Sequence, residues 1–356
     1  MSGVCLIAVF LAVNVVTAPL TPTVWMDEVN YSDPAVHWYL GSGFTSSCWW
    51  EQTQDQFWSG NVPGHEFLLC GWLSIFGFGV TAVRSMNFVL AAAGAGLLVA
   101  ALARAGWLVT RGAQIALLVL FMTGHGITFS YRSGRPDMIG MLLAGIAAFA
   151  ATLPARPRLI GLAAVGVLTP IAGLQFVVCG VVVAAVAVAG SARSALRPAI
   201  VWGVGVGIGL GGLLGLYTAQ NTLAGFRASV FPLTGLAQSF ADRLTQIPGL
   251  YVQDWSLPLL AITALGLAVT GRVGRRAAGC IVLAGLIPLV LFGAGRYPVY
   301  YTWMGFVPAA VAVALLLDNA GAAARRWAWI GVAAACVVGL PLRLTLTATE
   351  YAARDY

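Results

Sequence analysis

Lysine is absent: all 19 basic residues are arginine. Acids are scarce as well, 12 in 356 residues, and charged residues make up only 9% of the chain. A water-soluble domain carries roughly 25% charged residues, so a soluble fold is excluded. The apolar runs are continuous rather than alternating, which excludes a membrane-spanning β-barrel. The net charge of +7 is spread over arginines lying between apolar runs, not along one stripe, so no nucleic-acid surface is expected. The six cysteines show no metal-binding spacing. Four of them (Cys5, Cys179, Cys280, Cys336) fall inside apolar runs; Cys48 and Cys70 share a polar stretch and either pair in an oxidising compartment or leave Cys70 in an apolar surface.

What is present is apolar: 60% of residues, with a mean hydropathy of +0.88. A helix needs about 20 residues to cross the ~30 Å hydrocarbon layer, so the chain has room for ten or more crossings. The expected fold is an all-α polytopic membrane protein, one transmembrane domain over residues 1–356 with about 11 helices. After an uncleaved first helix at Val4–Val16 comes a long outer loop, 21–83. Within it Asp33–Pro34 reads as a helix start, with the carboxylate as N-cap and proline at the first helical position. Trp38, Tyr39, Trp49, Trp50, Phe57 and Trp58 suit an interfacial belt.

The run Phe67–Val80, about 14 residues, is short of the ~17 needed to span and is weakened by Gly71, Gly77 and Gly79. If it lies along the membrane, eleven arginines from Arg104 to Arg326 share the cytoplasmic side, as the positive-inside rule requires. The crossings then begin near Arg84, Ala113, Met138, Leu159, Ile171, Ala199, Leu257, Ala277, Val299 and Trp327. As one straight helix Leu159–Ala189 would extend about 46 Å, so a break is expected at Thr169–Pro170. The N-terminus lies inside, and a second long outer loop covers 218–256.

On this topology polar clusters gather at the outer face. Asp27 and Glu28 open the first loop, which holds six of the twelve acids and no basic residue before Arg84. His65 and Glu66 start the recumbent run; they either line a cavity or cap that helix. The turn Arg132-Ser-Gly-Arg135-Pro-Asp137, the loop arginines Arg227 and Arg243, and Arg296 with Tyr300 and Tyr301 complete the set. Outer arginines defy the positive-inside trend and suit an anion, phosphate above all. Alternatively Arg132, Arg135 and Asp137 form a rim ion pair, and Arg227 and Arg243 are ordinary loop charges.

The stretch Trp25-Met-Asp-Glu-Val-Asn-Tyr-Ser-Asp-Pro-Ala35 resembles the first outer loop of the C-fold (GT-C) membrane glycosyltransferases, among them protein O-mannosyltransferases and lipid A aminoarabinose transferases. The order of features is similar too: a recumbent helix ending Phe76-Gly-Phe-Gly-Val-Thr-Ala-Val-Arg84, the tract Arg135-Pro-Asp137, a broken helix pair at Thr169–Pro170, and Gly295-Arg-Tyr-Pro-Val-Tyr300. The resemblance implies an inverting transferase that moves a sugar from a polyprenyl-phosphate donor to a hydroxyl on a lipid, glycan or protein, at the outer face of a bacterial inner membrane. It implies Asp27 as the base, with Glu28 and Asp137 shaping the site or, with Asp27, holding a divalent cation (Mg or Mn). Arg132, Arg135 and Arg296 are then the phosphate candidates, with Tyr300, Tyr301, His65, Glu66, Arg227 and Arg243 around the substrate. Many relatives carry a basic residue at the Thr169–Pro170 turn and continue beyond the position of Tyr356; this chain does neither. Those departures motivate a second expectation, a non-catalytic subunit that scaffolds a larger membrane complex. A transporter is the third; it fits less well, because the acids gather at one face rather than near the midplane.

Overall fold

The computed structural model describes residues 3–20, 22, 24–49, 52–190, 192–230, 245, 256–270, 274–293 and 301–336. Among these residues every regular element is a helix. In chain order they are α1 (Gly3–Thr17), α2 (Met26–Tyr39), α3 (Gly64–Phe76), α4 (Val80–Arg104), α5 (Arg111–Thr123), α6 (His125–Arg132), α7 (Asp137–Ala151) and α8 (Ala155–Ala172). Then come α9 (Leu174–Gly190), α10 (Ala192–Ala219), α11 (Leu223–Val230), α12 (Ser256–Thr270), α13 (Arg275–Gly293), α14 (Thr302–Asn319) and α15 (322–336).

Among the described residues four helices are long and apolar enough to cross a membrane: α4, α8, α10 and α14. A fifth crossing results if the bent pair α5–α6 counts as one. The described residues are thus those of a helical, membrane-associated protein. Helices α1, α7, α9 and α12 are apolar but shorter.

Helix α14 lies at the centre. Every residue from Thr302 to Leu317 except Val307 is buried, which is what a helix apolar on all sides requires of its surroundings. It packs against α13, α12, α5 and α6. Other contacts depend on small residues. A Cβ on Gly94 of α4 would stand 2.8 Å from the Met141 carbonyl of α7, and one on Gly145 would stand 2.6 Å from the Gly94 oxygen. Gly166 of α8 and Gly205 and Gly209 of α10 meet the facing backbone in the same way. In an apolar solvent, where burial alone does not drive helices together, such close approach supplies the packing energy. Gly205→Val is therefore expected to lower the thermal midpoint in detergent by the equivalent of about 1–3 kcal/mol. Gly203→Ala, whose Cβ would meet nothing within 4 Å, is expected to be neutral or slightly stabilising.

Several local expectations change. The helix foreseen at Asp33–Pro34 begins earlier, at Met26, and Pro34 sits inside it. Asp33 is no N-cap: its carboxylate accepts from Ser46 Oγ (2.7 Å) and from the Ser47 N–H (2.7 Å), folding the following loop back on α2. Trp38 and Tyr39 are exposed as an interfacial belt requires, but Trp58 is fully buried and packs with Phe44 and Trp49 inside the loop; Trp50 lies outside the described residues. Cys48 and Cys70 are both free thiols, Cys48 exposed and Cys70 buried.

The run Phe67–Val80 divides into α3, 13 residues long and so about 20 Å, and the start of α4. The break falls at Gly77, whose φ of 78° is a conformation that favours glycine. The break foreseen at Thr169–Pro170 occurs at Gly173 instead: Pro170 stays within α8, and the Gly173 N–H still bonds the Thr169 carbonyl (3.0 Å). The crossing expected from Ala113 to Tyr131 is bent by 56° near Gly124, where the Phe306 ring of α14 occupies the space a side chain would need.

Candidate active site

The site grows from two loops joined by arginines. At the end of α1 the last carbonyls lack intrahelical partners. Arg132 supplies them, donating to Asn14 Oδ1 (2.6 Å), Thr17 Oγ1 (3.0 Å) and the Thr17 carbonyl (2.9 Å), a placement the helix dipole also favours. Arg84, at the start of α4 and fully buried, takes over where α1 ends. Its Nη1 donates to the Ala18 and Pro22 carbonyls at 2.6 and 2.8 Å. Its Nε and Nη2 grip the two oxygens of Glu28 at 2.6 Å each, the bidentate geometry that makes guanidinium–carboxylate pairs strong.

Glu28 is thus a structural anchor, with both oxygens committed. Its side chain also passes so close to Gly134 (φ 66°) that a Cβ there would stand 2.5 Å from Glu28 Cγ. Only glycine meets both demands in that turn. Two more bonds hold it: Trp25 Nε1 donates to the Ser133 carbonyl (3.1 Å) and Asn87 Nδ2 to the Arg135 carbonyl (2.8 Å).

So positioned, Arg135 pairs with Asp27 through Nη1 and with Asp137 Oδ2 through Nε at 3.0 Å. Trp25 and Tyr31 rings lie 5.9 and 5.7 Å from its guanidinium carbon. Burial opposes the Arg135 charge, yet Asp137, Tyr31, Tyr301 and Asp27 around it hold its pKa above the usual value. Asp137 is fully buried, while the Asp27 side chain keeps 25% of its exposure. Asp137 Oδ1 and Trp303 Nε1 of α14 face each other but stop short of a hydrogen bond.

Arg135 forms one wall of a narrow pocket with Tyr31, Asn61, Ala172, Gln175 and Tyr301 among its other lining residues. About 30 Å³ of it is open to water, room for about two molecules. Asn61 Nδ2 donates to Tyr31 Oη (3.1 Å), and Tyr217 Oη donates to the Asn61 carbonyl. Burial above all pushes the Tyr31 phenol upward.

His65 and Glu66 are both fully buried at the start of α3. Burial, then the Arg135 charge, drives the His65 pKa down to about 3; the Gly134 backbone beside it acts the other way without reaching hydrogen-bond geometry. Burial raises the Glu66 carboxyl well above its usual 4.5. For Glu66 the unfolded chain releases the proton first, so stability falls as pH rises from 4.5 toward the folded value. For His65 the sign is opposite: stability falls as pH drops from 6.5 toward about 3. Glu66→Gln, which keeps the shape and cannot ionise, should raise the thermal midpoint over the wild type. The gap should widen above pH 4.5 by about 1.4 kcal/mol per pH unit. A gap independent of pH would contradict the buried neutral acid.

Of the remaining candidates, Arg227 is exposed on α11, and Arg243, Arg296 and Tyr300 lie outside the described residues. Among the described residues no three of His, Cys, Asp and Glu stand together as a cation set. Asp27 and Asp137 are both paired with the Arg135 guanidinium.

Sequence reasoning missed four contributors. Arg84 read only as the start of a crossing, although an arginine closing a loop with six acids was a signal. Asn61, Asn87 and Trp303 carried none beyond being polar groups near apolar runs. No family model matches the chain, and no curated protein or solved structure matches it.

Proposed function

We propose that the chain is an inverting glycosyltransferase of the C-fold kind, moving a sugar from a polyprenyl-phosphate donor to a hydroxyl acceptor at the outer face of a bacterial inner membrane. The observation that carries this is the Asp27–Arg135–Asp137 arrangement beside a lined pocket. Asp137 is sealed in and Asp27 is partly open, so Asp27 is the carboxylate able to meet an acceptor hydroxyl. It takes the proton as the hydroxyl oxygen attacks the anomeric carbon and the lipid phosphate leaves from the opposite face. The phosphate is already a good leaving group, so no acid of the glycosidase type is needed.

Arg132 and Arg84 are consumed by structure, and Arg135 is shared by two acids. Neutralising the leaving phosphate then falls chiefly to Arg296, with Arg243 and Arg227 as the further cations of the outer loops. The reading includes the eleven-crossing topology, cytoplasmic N-terminus and recumbent α3 argued from charge, because only then do Asp27, Asp137 and Arg296 share one face. Purified full-length protein, given polyprenyl-phosphate sugars and a mixture of lipid, glycan and peptide acceptors, is expected to transfer labelled sugar with inversion. Hydrolysis or transfer with retention would overturn the mechanism.

The small pocket and the commitment of Arg132 and Arg135 to protein partners favour a second reading, a non-catalytic subunit that assembles a larger membrane complex. Stable co-purification with other membrane proteins, together with no binding of polyprenyl phosphate, would select it.

A further inference from the structure

Neither ring nitrogen of His65 and neither carboxyl oxygen of Glu66 has a hydrogen-bond partner among the described residues. Native interiors rarely leave buried polar side chains unmet, and here the unmet atoms sit on adjacent residues. Tyr31 and Tyr217 lie within electrostatic range of Glu66, Cys70 lies one turn along α3, and His65 lies within electrostatic range of Arg135 and beside the Gly134 backbone. Tyr31 and Arg135 are also walls of the pocket, and Gly64, just before the pair, abuts Ala172, another wall. The pair therefore lies close to the pocket.

Its chemistry selects the occupant. A protonated carboxyl and a neutral imidazole each present a donor and an acceptor. A sugar hydroxyl, which also donates and accepts, satisfies both. An anion would find no charge compensation from a neutral pair, and a cation would have to ionise a carboxyl that burial keeps protonated. Tyr31, which lines the pocket near Glu66, accepts a hydrogen bond from Asn61 Nδ2 at 3.1 Å.

We propose that His65 and Glu66 form a neutral donor–acceptor subsite for the uncharged, hydroxylated ring of the donor sugar. This rests on the glycosyltransferase reading and adds which residues hold the sugar rather than the phosphate. The test compares binding of bare undecaprenyl phosphate with binding of undecaprenyl phosphate carrying glucose, mannose or arabinose, using full-length protein in lipid nanodiscs. Wild type is expected to bind at least one sugar-bearing lipid more tightly than the bare one. Glu66→Met should lose that advantage, about tenfold, with bare-lipid binding unchanged; Glu66→Gln, still neutral with a donor and an acceptor, should retain it. A Gln variant that behaves like Met would overturn the neutral pair. Equal loss for bare and sugar-bearing lipids, or no loss in Met, would overturn the subsite while measured transfer by wild type left the transferase reading standing. Wild type that binds neither lipid would overturn both. Thermal midpoints of each variant separate lost binding from lost folding.

Discussion

Arg84→Met is expected to cost about 3–5 kcal/mol of stability, the usual penalty for leaving a buried charge without its partner. Arg84 and Glu28 side chains are 1% and 4% exposed, so water cannot replace the lost guanidinium. The same substitution strips donors from the Ala18 and Pro22 carbonyls, freeing the turn that leads from α1 into α2. Arg84→Lys should not rescue, because a single ammonium cannot span two carboxylate oxygens and two carbonyls at once. The double variant Arg84→Met/Glu28→Met should recover much of the loss, since an apolar pair of similar volume replaces the buried ions. The readout is the thermal midpoint in detergent with the monodisperse fraction by size exclusion. A single-variant loss under about 1 kcal/mol, the scale of an exposed pair, would show that this contact does not hold the outer loop.

The second large effect is on activity. Asp27→Asn is expected to lower sugar transfer about 10²- to 10⁴-fold, the range lost when a positioned general base is removed. The amide is isosteric and keeps an oxygen for Arg135 Nη1, and Arg135 retains Asp137. Because the Asp27 side chain is one quarter exposed, the ion pair it gives up is partly screened, and the midpoint should change by less than about 1 kcal/mol. Asp137→Asn makes the contrast: its carboxyl is fully buried beside Arg135, so it should lose stability as well as activity. Near-normal transfer by a folded Asp27→Asn protein would remove Asp27 as the base. Normal transfer with Asp137→Asn alone would leave that role intact.

The acids and arginines that meet were visible in the sequence as types but not as pairs. The tract Arg132 to Asp137 read as one rim cluster, yet its members serve different ends: Arg132 caps α1, Arg135 bridges Asp27 to Asp137, and Gly134 makes room for Glu28. Likewise Asp33–Pro34 has the form of a helix start, but a carboxylate can satisfy loop amides as readily as helix amides. In the folded chain Ser46 and Ser47 were nearer. Thr169–Pro170 and Gly173 pose the same lesson for breaks. A proline removes one hydrogen bond and can stay within a helix whose neighbours hold it, so the chain turned three residues later.

By itself the sequence determined the solvent and the element type. A chain with 9% charged residues and long apolar runs must satisfy its backbone internally, and helices do so within each segment. It also signalled that α3 is short, through the glycine that ends it. Which guanidinium meets which carboxylate was decided only in three dimensions. Arg84 and Glu28 are 56 positions apart, and Arg135 and Asp27 are 108 apart. Coulomb attraction is indifferent to sequence separation, and only helix packing through Gly94, Gly145 and their neighbours brings those charges within reach of one another.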